Sequence, residues 1–179
     1  MYVIIGHVLQ AGAGQNSARQ AALKGGIPMS VPSITINKLC LSGINAIALA
    51  AQMINAGEAD IVVAGGMESM SNAPHLMIGS REGIKYGDWT MKDSLAFDGL
   101  FCAIDNLGMG ESTEKFTAEK GMSRQSQDEF SAMSHAKAAV ALEAGIFDNE
   151  IVPVSIPQRK GDPIVFATDE GVRADTTAE

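Results

Sequence analysis

The residue with the clearest capacity for chemistry is Cys40, which stands between a short β-branched run and a helical pattern. Residues 34–37 favour a strand. Apolar residues then recur with a helical period at positions 44, 47, 48, 51 and 54. Cys40 is therefore expected at or just before a helix N-terminus, where free amides and the helix dipole favour an anion. A thiolate held there is a usable nucleophile, and the alternative interpretation is a buried structural cysteine.

The elements around Cys40 alternate between strand and helix patterns. A strand is expected from Val3 towards Leu9, and a helix over residues 17–24 with Asn16 as its cap. A second strand follows at 33–37, a helix at 44–55 and a third strand at 60–66. This order favours a parallel sheet with crossover helices. The sequence therefore predicts an α/β fold with a parallel or mixed sheet.

The character of the chain changes after residue 71. Residues 72–122 are rich in Gly, Met, Asp and Lys with little periodicity, which predicts an inserted, loop-rich α+β lobe. A helix is expected over 123–144 with Ser123 as its cap, and Phe130, Met133 and Val140 are expected to form its packing face. His135 on this helix is interpreted as structural. Strands are expected at 151–156 and 164–166.

Composition restricts the classes of protein and ligand. The 179 residues are 46% hydrophobic and 19% charged, which is typical of a globular protein. A net charge of −8 argues against nucleic acid as a partner. Two cysteines without a spacing motif argue against a disulfide framework or a metal site and favour the reducing cytoplasm. No stretch approaches the about 18 apolar residues of a membrane span, so no membrane association is expected.

Four motifs together carry a family resemblance. They are Gly6-His7-Val8-Leu9-Gln10-Ala11-Gly12, Asn37-Lys38-Leu39-Cys40-Leu41-Ser42-Gly43, Ala64-Gly65-Gly66-Met67-Glu68-Ser69-Met70-Ser71 and Glu150-Ile151-Val152-Pro153. In this register the whole chain resembles the thiolase family, the acetyl-CoA acetyltransferases and 3-ketoacyl-CoA thiolases. The resemblance implies a thiolase-like fold, in which residues 1–71 belong to the N-terminal domain and residues 72–179 to the loop domain that covers coenzyme A.

The resemblance also implies a two-step acyl transfer, with roles for particular residues. Cys40 is implied to take the acyl group from a 3-ketoacyl-CoA or from acetyl-CoA, and its own backbone N–H to help hold the oxyanion. Leu100, Met109 and Arg173 match positions that line the pantetheine or nucleotide part of the coenzyme A site. Coenzyme A and acetyl-CoA are implied as substrates, with no other cofactor, in fatty acid metabolism. The family is usually a homo-oligomer, a dimer or a tetramer.

Departures from the family pattern limit these expectations. Gly108 stands where biosynthetic members carry a histidine near the pantetheine. The family's first strand with its Arg-Thr-Pro motif has no counterpart in the chain, nor does the half that carries the Gly-His-Pro histidine and the Cys-Gly-Gly cysteine. Cys102 lacks that second context. We therefore expect an N-terminal fragment with a truncated loop domain and no C-terminal domain, which is inactive alone and exposes apolar surface.

Two alternatives remain open at this point. One is a split or non-catalytic subunit that binds coenzyme A or a partner chain supplying the remaining catalytic residues. The other is a decarboxylating condensing enzyme, which also carries a cysteine after a strand. The motif from Gly66 to Met70 favours a thiolase over that second class.

Overall fold

The computed structural model describes all 179 residues, which divide into two compact units, Met1–Thr113 and Glu114–Glu179. The first unit contains a three-stranded sheet with strand order β2-β1-β3. The strands are β1 (Tyr2–Gly6), β2 (Ser33–Ile36) and β3 (Val62–Gly66). Both pairings of β1 are parallel, so the predicted α/β class with a parallel sheet is confirmed.

Two helices make the crossovers between these strands. Helix α1 (Ser17–Lys24) joins β1 to β2, and helix α2 (Ser42–Asn55) joins β2 to β3. Asn16 caps α1, because its side chain accepts the Arg19 N–H at 3.2 Å. The predicted bounds of α1 are confirmed, and α2 begins two residues before the predicted Ile44.

Helix α2 has two apolar faces of different character. Ala46 and Ala50 are buried, on the face that packs against the sheet. Ile44 and Ile47 lie on the other face and are 66% and 57% exposed. Small residues let the helix approach the sheet, and the large residues of the predicted stripe are uncovered in this chain.

The rest of the first unit consists of short elements. Strand β4 (His75–Leu76) pairs with β5 (Lys92–Asp93), and β6 (Phe101–Cys102) pairs with β7 (Leu107–Gly108), both antiparallel. A 3₁₀ turn spans Met70–Asn72 and a π-helix spans Leu95–Leu100. Buried Ser94 ties β5 to β4, since its hydroxyl donates to the Pro74 carbonyl at 2.6 Å.

Helix α3 (Met109–Glu119) lies where the sequence indicated only loops. Glu111 marks its start, because its carboxylate accepts the Gly108 N–H at 2.9 Å. The compact units divide after Thr113, whereas the predicted domain boundary after residue 71 stays a prediction.

The second unit is built on helix α4 (Arg124–Glu143) and a hairpin of β8 (Val154–Ile156) with β9 (Ile164–Phe166). Ser123 caps α4 as predicted, accepting the Ser126 N–H at 3.1 Å. The hydrogen bond to Asp128 and the charge of that carboxylate raise the pKa of Arg124.

The prediction that one face of α4 packs into a core is wrong for this chain. Phe130 and Val140 are 65% and 64% exposed, and no residue of the helix is buried. A unit of this size, with one long helix and one short hairpin, has too little apolar surface to cover a helix face. Across the whole structure, no helix has both the length and the apolar character needed to cross a membrane.

Candidate functional site

Cys40 occupies the turn between β2 and α2, at the carboxyl ends of the parallel strands. Its side chain is exposed, which excludes the alternative of a buried structural cysteine. It lines a cavity of about 410 Å³, formed within the first unit by four segments, 6–9, 39–43, 66–70 and 95–100. Open α/β sheets bind ligands at this edge.

Three glycines bring the head of α2 against the ends of two strands. A Cβ on Gly6 would lie 2.6 Å from the carbonyl carbon of Ser42 and 2.8 Å from the nitrogen of Gly43. A Cβ on Gly66 would lie 3.4 Å from the Cα of Gly43. Glycine at the end of β1 is thus required for α2 to begin where it does. The glycines set the position of Cys40 relative to the sheet.

Ser42 and Gly43, the first two residues of α2, both line this cavity. The first amides of a helix have no partner within the helix. Leu41, at the N-cap position, contributes no side-chain hydrogen bond to them. The Ser42 N–H donates to the Leu39 carbonyl at 2.9 Å, and no side chain caps the amides after it, so these and the positive end of the dipole can favour an anion there.

Glu68 joins two walls of the cavity. Its carboxylate accepts the backbone N–H groups of Val8 and Leu9, each at 3.0 Å, and lies 3.3 Å from Nε2 of His7. Nδ1 of His7 lies 2.7 Å from the hydroxyl of Ser17. Glu68 therefore fixes the chain after β1 to the chain after β3.

The remaining lining is mostly apolar. Met67 and Met70 both contribute to the wall, as does the π-helix through Leu95 and Leu100. Cys40 and Glu68 are the ionisable side chains among the lining residues, and none of the three histidines lines the cavity. The arrangement provides a thiol nucleophile and amide donors in an apolar cavity, without a histidine base.

The three predicted coenzyme A residues lie in different places. Leu100 lines the same cavity as Cys40. Met109 is the first residue of α3 and does not line the cavity. Arg173 lies in the second unit, where its backbone N–H donates to Nδ1 of His135 at 3.1 Å. His135, interpreted as structural, thus contacts a predicted ligand residue.

Sequence reasoning missed the roles of several residues in this site. Glu68 appeared only inside a motif, and its place two residues after a predicted strand was the available signal. Asn37 and Ser42 also appeared only as motif members, yet their side chains shape the turn that carries Cys40. The π-helix at 95–100 had no signal in the periodicity of the sequence.

The fold defines an α/β protein with an exposed cysteine at the head of a crossover helix. The family model described as "Thiolase, N-terminal domain" matches residues 1–179. The chain belongs to this family, which confirms the resemblance. It is 61% identical over 178 residues to a "Probable acetyl-CoA acetyltransferase" of Mycolicibacterium smegmatis, covering 99% of this chain and 46% of that protein. It is 54% identical over 177 residues to the acetyl-CoA acetyltransferase of Cupriavidus necator, covering 99% and 45%.

Solved structures agree with the sequence comparison. The chain matches the Bacillus anthracis acetyl-CoA acetyltransferase with a TM-score of 0.92 and 39% identity, covering 99% of this chain and 44% of that one. It matches a thiolase from Ascaris suum in complex with coenzyme A with a TM-score of 0.86 and 40% identity, covering 94% and 42%. The chain therefore spans about half the length of the relatives it matches.

Proposed function

We propose that this chain contributes the nucleophile of a thiolase, which transfers an acyl group between a 3-ketoacyl-CoA or acetyl-CoA and coenzyme A. The observation that carries the proposal is the position of Cys40, exposed in an apolar cavity directly before an uncapped helix N-terminus. Membership of the thiolase family supports the same reaction.

The proposed chemistry has two steps. In the first, the Cys40 sulfur attacks the thioester carbon of acetyl-CoA, and coenzyme A leaves with a proton as the new thioester forms. With a 3-ketoacyl-CoA, the bond between the α and β carbons breaks instead, and acetyl-CoA leaves. In the second step, an incoming nucleophile takes the acyl group from sulfur. Amides at the head of α2 are suited to stabilise the oxyanion that forms in each step.

The cavity of this chain does not supply every group that the reaction requires. No histidine lines it, and Glu68 is already engaged by two amides and His7. Rapid turnover needs a base for the Cys40 thiol and an acid for the leaving carbon, which this cavity lacks, whereas the thiolate fraction present at neutral pH suffices for a single slow acylation. We propose that the chain alone positions Cys40 to accept an acyl group but does not catalyse repeated turnover.

The proposed coenzyme A contacts are the three residues that match the family's positions. Leu100 shares the cavity with Cys40 and suits the pantetheine arm. Met109 and Arg173 remain proposed contacts, and the guanidinium of Arg173 suits adenine or phosphate. We place the reaction in the cytoplasm, since both cysteines are free thiols, and in fatty acid metabolism. The uncovered face of α2 suits a homo-oligomer, a dimer or a tetramer.

A second candidate function follows from the missing base. The chain would then be a split or non-catalytic subunit that binds coenzyme A and receives its remaining catalytic residues from a partner chain. Copurification of a chain with the Gly-His-Pro and Cys-Gly-Gly motifs favours this candidate. If no such chain copurifies and Cys40 is acylated, the first candidate function is favoured.

Cleavage of acetoacetyl-CoA tests whether turnover requires groups that this chain does not supply. The purified chain is expected to give no turnover above the level of its Cys40→Ala variant, while acetyl-CoA protects Cys40 but not Cys102 from iodoacetamide. Turnover close to that of an intact relative would refute the proposed dependence on further residues. Equal protection of both cysteines would refute the proposed role of Cys40.

A further inference from the structure

The turn that carries Cys40 places a leucine in an unfavourable backbone conformation. Leu39 has φ 50°, in the left-handed region that branched and bulky residues avoid. The Leu41 N–H donates to the Lys38 carbonyl at 3.1 Å, which closes a four-residue turn with Leu39 at its second position. Positive φ at that position alone is the pattern of a type II′ turn, in which glycine is preferred. Something other than the residue's own preference must hold this conformation.

Two side chains hold both peptide groups of Leu39. Oδ1 of Asn37 accepts the Leu39 N–H at 2.9 Å, which is an Asx turn. The Ser42 hydroxyl donates to the Leu39 carbonyl at 2.6 Å and accepts the Lys38 N–H at 2.8 Å. Ser42 is buried, 4% exposed, and its own backbone N–H also donates to the Leu39 carbonyl at 2.9 Å. The turn is therefore fixed from both sides by Asn37 and Ser42.

We propose that Asn37 and Ser42 are positioning residues for the reactive thiol, acting through the left-handed Leu39. If Leu39 relaxed to negative φ, the following peptide would rotate and Cys40 would leave its place directly before α2. Holding Leu39 at positive φ keeps Cys40 directly before the head of α2 and in the cavity. This inference rests on the proposed function, because positioning matters only where Cys40 reacts.

The rate of Cys40 alkylation by iodoacetamide tests the proposal, with Cys102 of the same molecule as internal reference. Asn37→Ala is expected to slow Cys40 labelling on the order of fivefold, the effect of one hydrogen bond, and Ser42→Ala, which removes two, is expected to slow it more. Asn37→Ser is expected to slow it only about twofold, because a hydroxyl makes the same local bond more weakly. Leu41→Ala is the matched control, since Leu41 flanks Cys40, is exposed and makes no capping bond. It should label at the wild-type rate.

A cycle with Leu39→Gly separates positioning from a general loss of structure. Glycine adopts positive φ without steric cost, so the turn should persist without Asn37. In the Leu39→Gly background, Asn37→Ala is expected to slow labelling less than about twofold. Circular dichroism at the labelling temperature confirms that each variant is folded.

Two results would overturn the proposal. One is labelling of Cys40 at the wild-type rate in Asn37→Ala and Ser42→Ala. The other is that Asn37→Ala slows labelling as much in the Leu39→Gly background as it does in the wild-type background. Failure of the proposed function is a separate result, since wild-type Cys40 would then take no acetyl group from acetyl-CoA whatever the labelling ratios are.

Discussion

Replacing Gly6 by alanine adds one methyl group where β1 meets the head of α2. The new Cβ would lie 2.6 Å from the Ser42 carbonyl carbon, 2.7 Å from its Cβ and 2.8 Å from the Gly43 nitrogen. Ordinary contact begins near 3.4 Å, so the helix and the strand would have to separate by about 0.8 Å. The atoms in the way are mainly backbone atoms of two rigid elements, and no flexible side chain can move aside.

The expected cost is that of overpacking a closely packed contact, about 1–3 kcal/mol of unfolding free energy. Gly65→Ala is the matched control, because Gly65 lies in the adjacent strand β3 with nothing within 4 Å of its would-be Cβ. Alanine restricts the unfolded chain equally at both positions, which cancels that contribution in the comparison. The difference between the two variants isolates the steric contact.

Urea denaturation followed by circular dichroism measures this difference. Gly66→Ala is expected to fall between the two, since its Cβ would meet Gly43 at 3.4 Å, the edge of ordinary contact. The order of stability should be Gly65→Ala, then Gly66→Ala, then Gly6→Ala. If Gly6→Ala and Gly65→Ala agree within about 0.5 kcal/mol, glycine at position 6 does not set the position of α2.

Three further perturbations test the Glu68 hydrogen bonds, the cap of α1 and the uncovered face of α2. Glu68→Ala leaves the Val8 and Leu9 amides without their acceptor and should lower the unfolding free energy by about 2–4 kcal/mol, measured by urea denaturation. A loss below that of an ordinary surface substitution would contradict the bridging role. Asn16→Ala removes the cap of α1 and should cost about 1–2 kcal/mol in the same assay; an unchanged midpoint would count against the cap. The uncovered face of α2 should make the chain associate in sedimentation velocity. Ile44→Glu with Ile47→Glu should shift it to monomer, and a wild-type chain that is already monomeric would disprove this.

The sheet and its crossovers were accessible from sequence because local signals and tertiary packing agree there. Asn16 caps α1 through its own side chain, and β-branched residues fill strands β1 and β2. Cys40 was placed correctly at the strand-to-helix turn, because a β-branched run ends there and a helical period begins. In these segments, the local strand, helix and capping preferences of the residues agree with the structure that they adopt.

The details that hold the site depend on contacts between distant segments, which a local pattern does not contain. The approach of Gly6 to Ser42 joins residues far apart in the chain, and so do the bonds from Glu68 to Val8 and Leu9. Positive φ at Leu39 runs against the preference of leucine, so no propensity could predict it.

Helix faces were the least predictable feature. The spacing of Phe130 and Val140 indicates an apolar face but not what covers it, and in this chain both are exposed. The same holds for Ile44 and Ile47 on α2, where Ala46 and Ala50 make the contact with the sheet. Periodicity identifies the helix, whereas the choice of buried face depends on which neighbours are present.

Mass spectrometry of the chain after treatment with acetyl-CoA at neutral pH tests whether Cys40 is the acyl acceptor. We expect an acetyl group on the peptide that contains Cys40, removed by hydroxylamine as a thioester is, and none on the peptide that contains Cys102. The adduct should disappear in Cys40→Ser and persist in Cys102→Ser. An acetyl group on Cys102 instead of Cys40, or equal modification of the two, would contradict the assignment of Cys40 as the acyl acceptor.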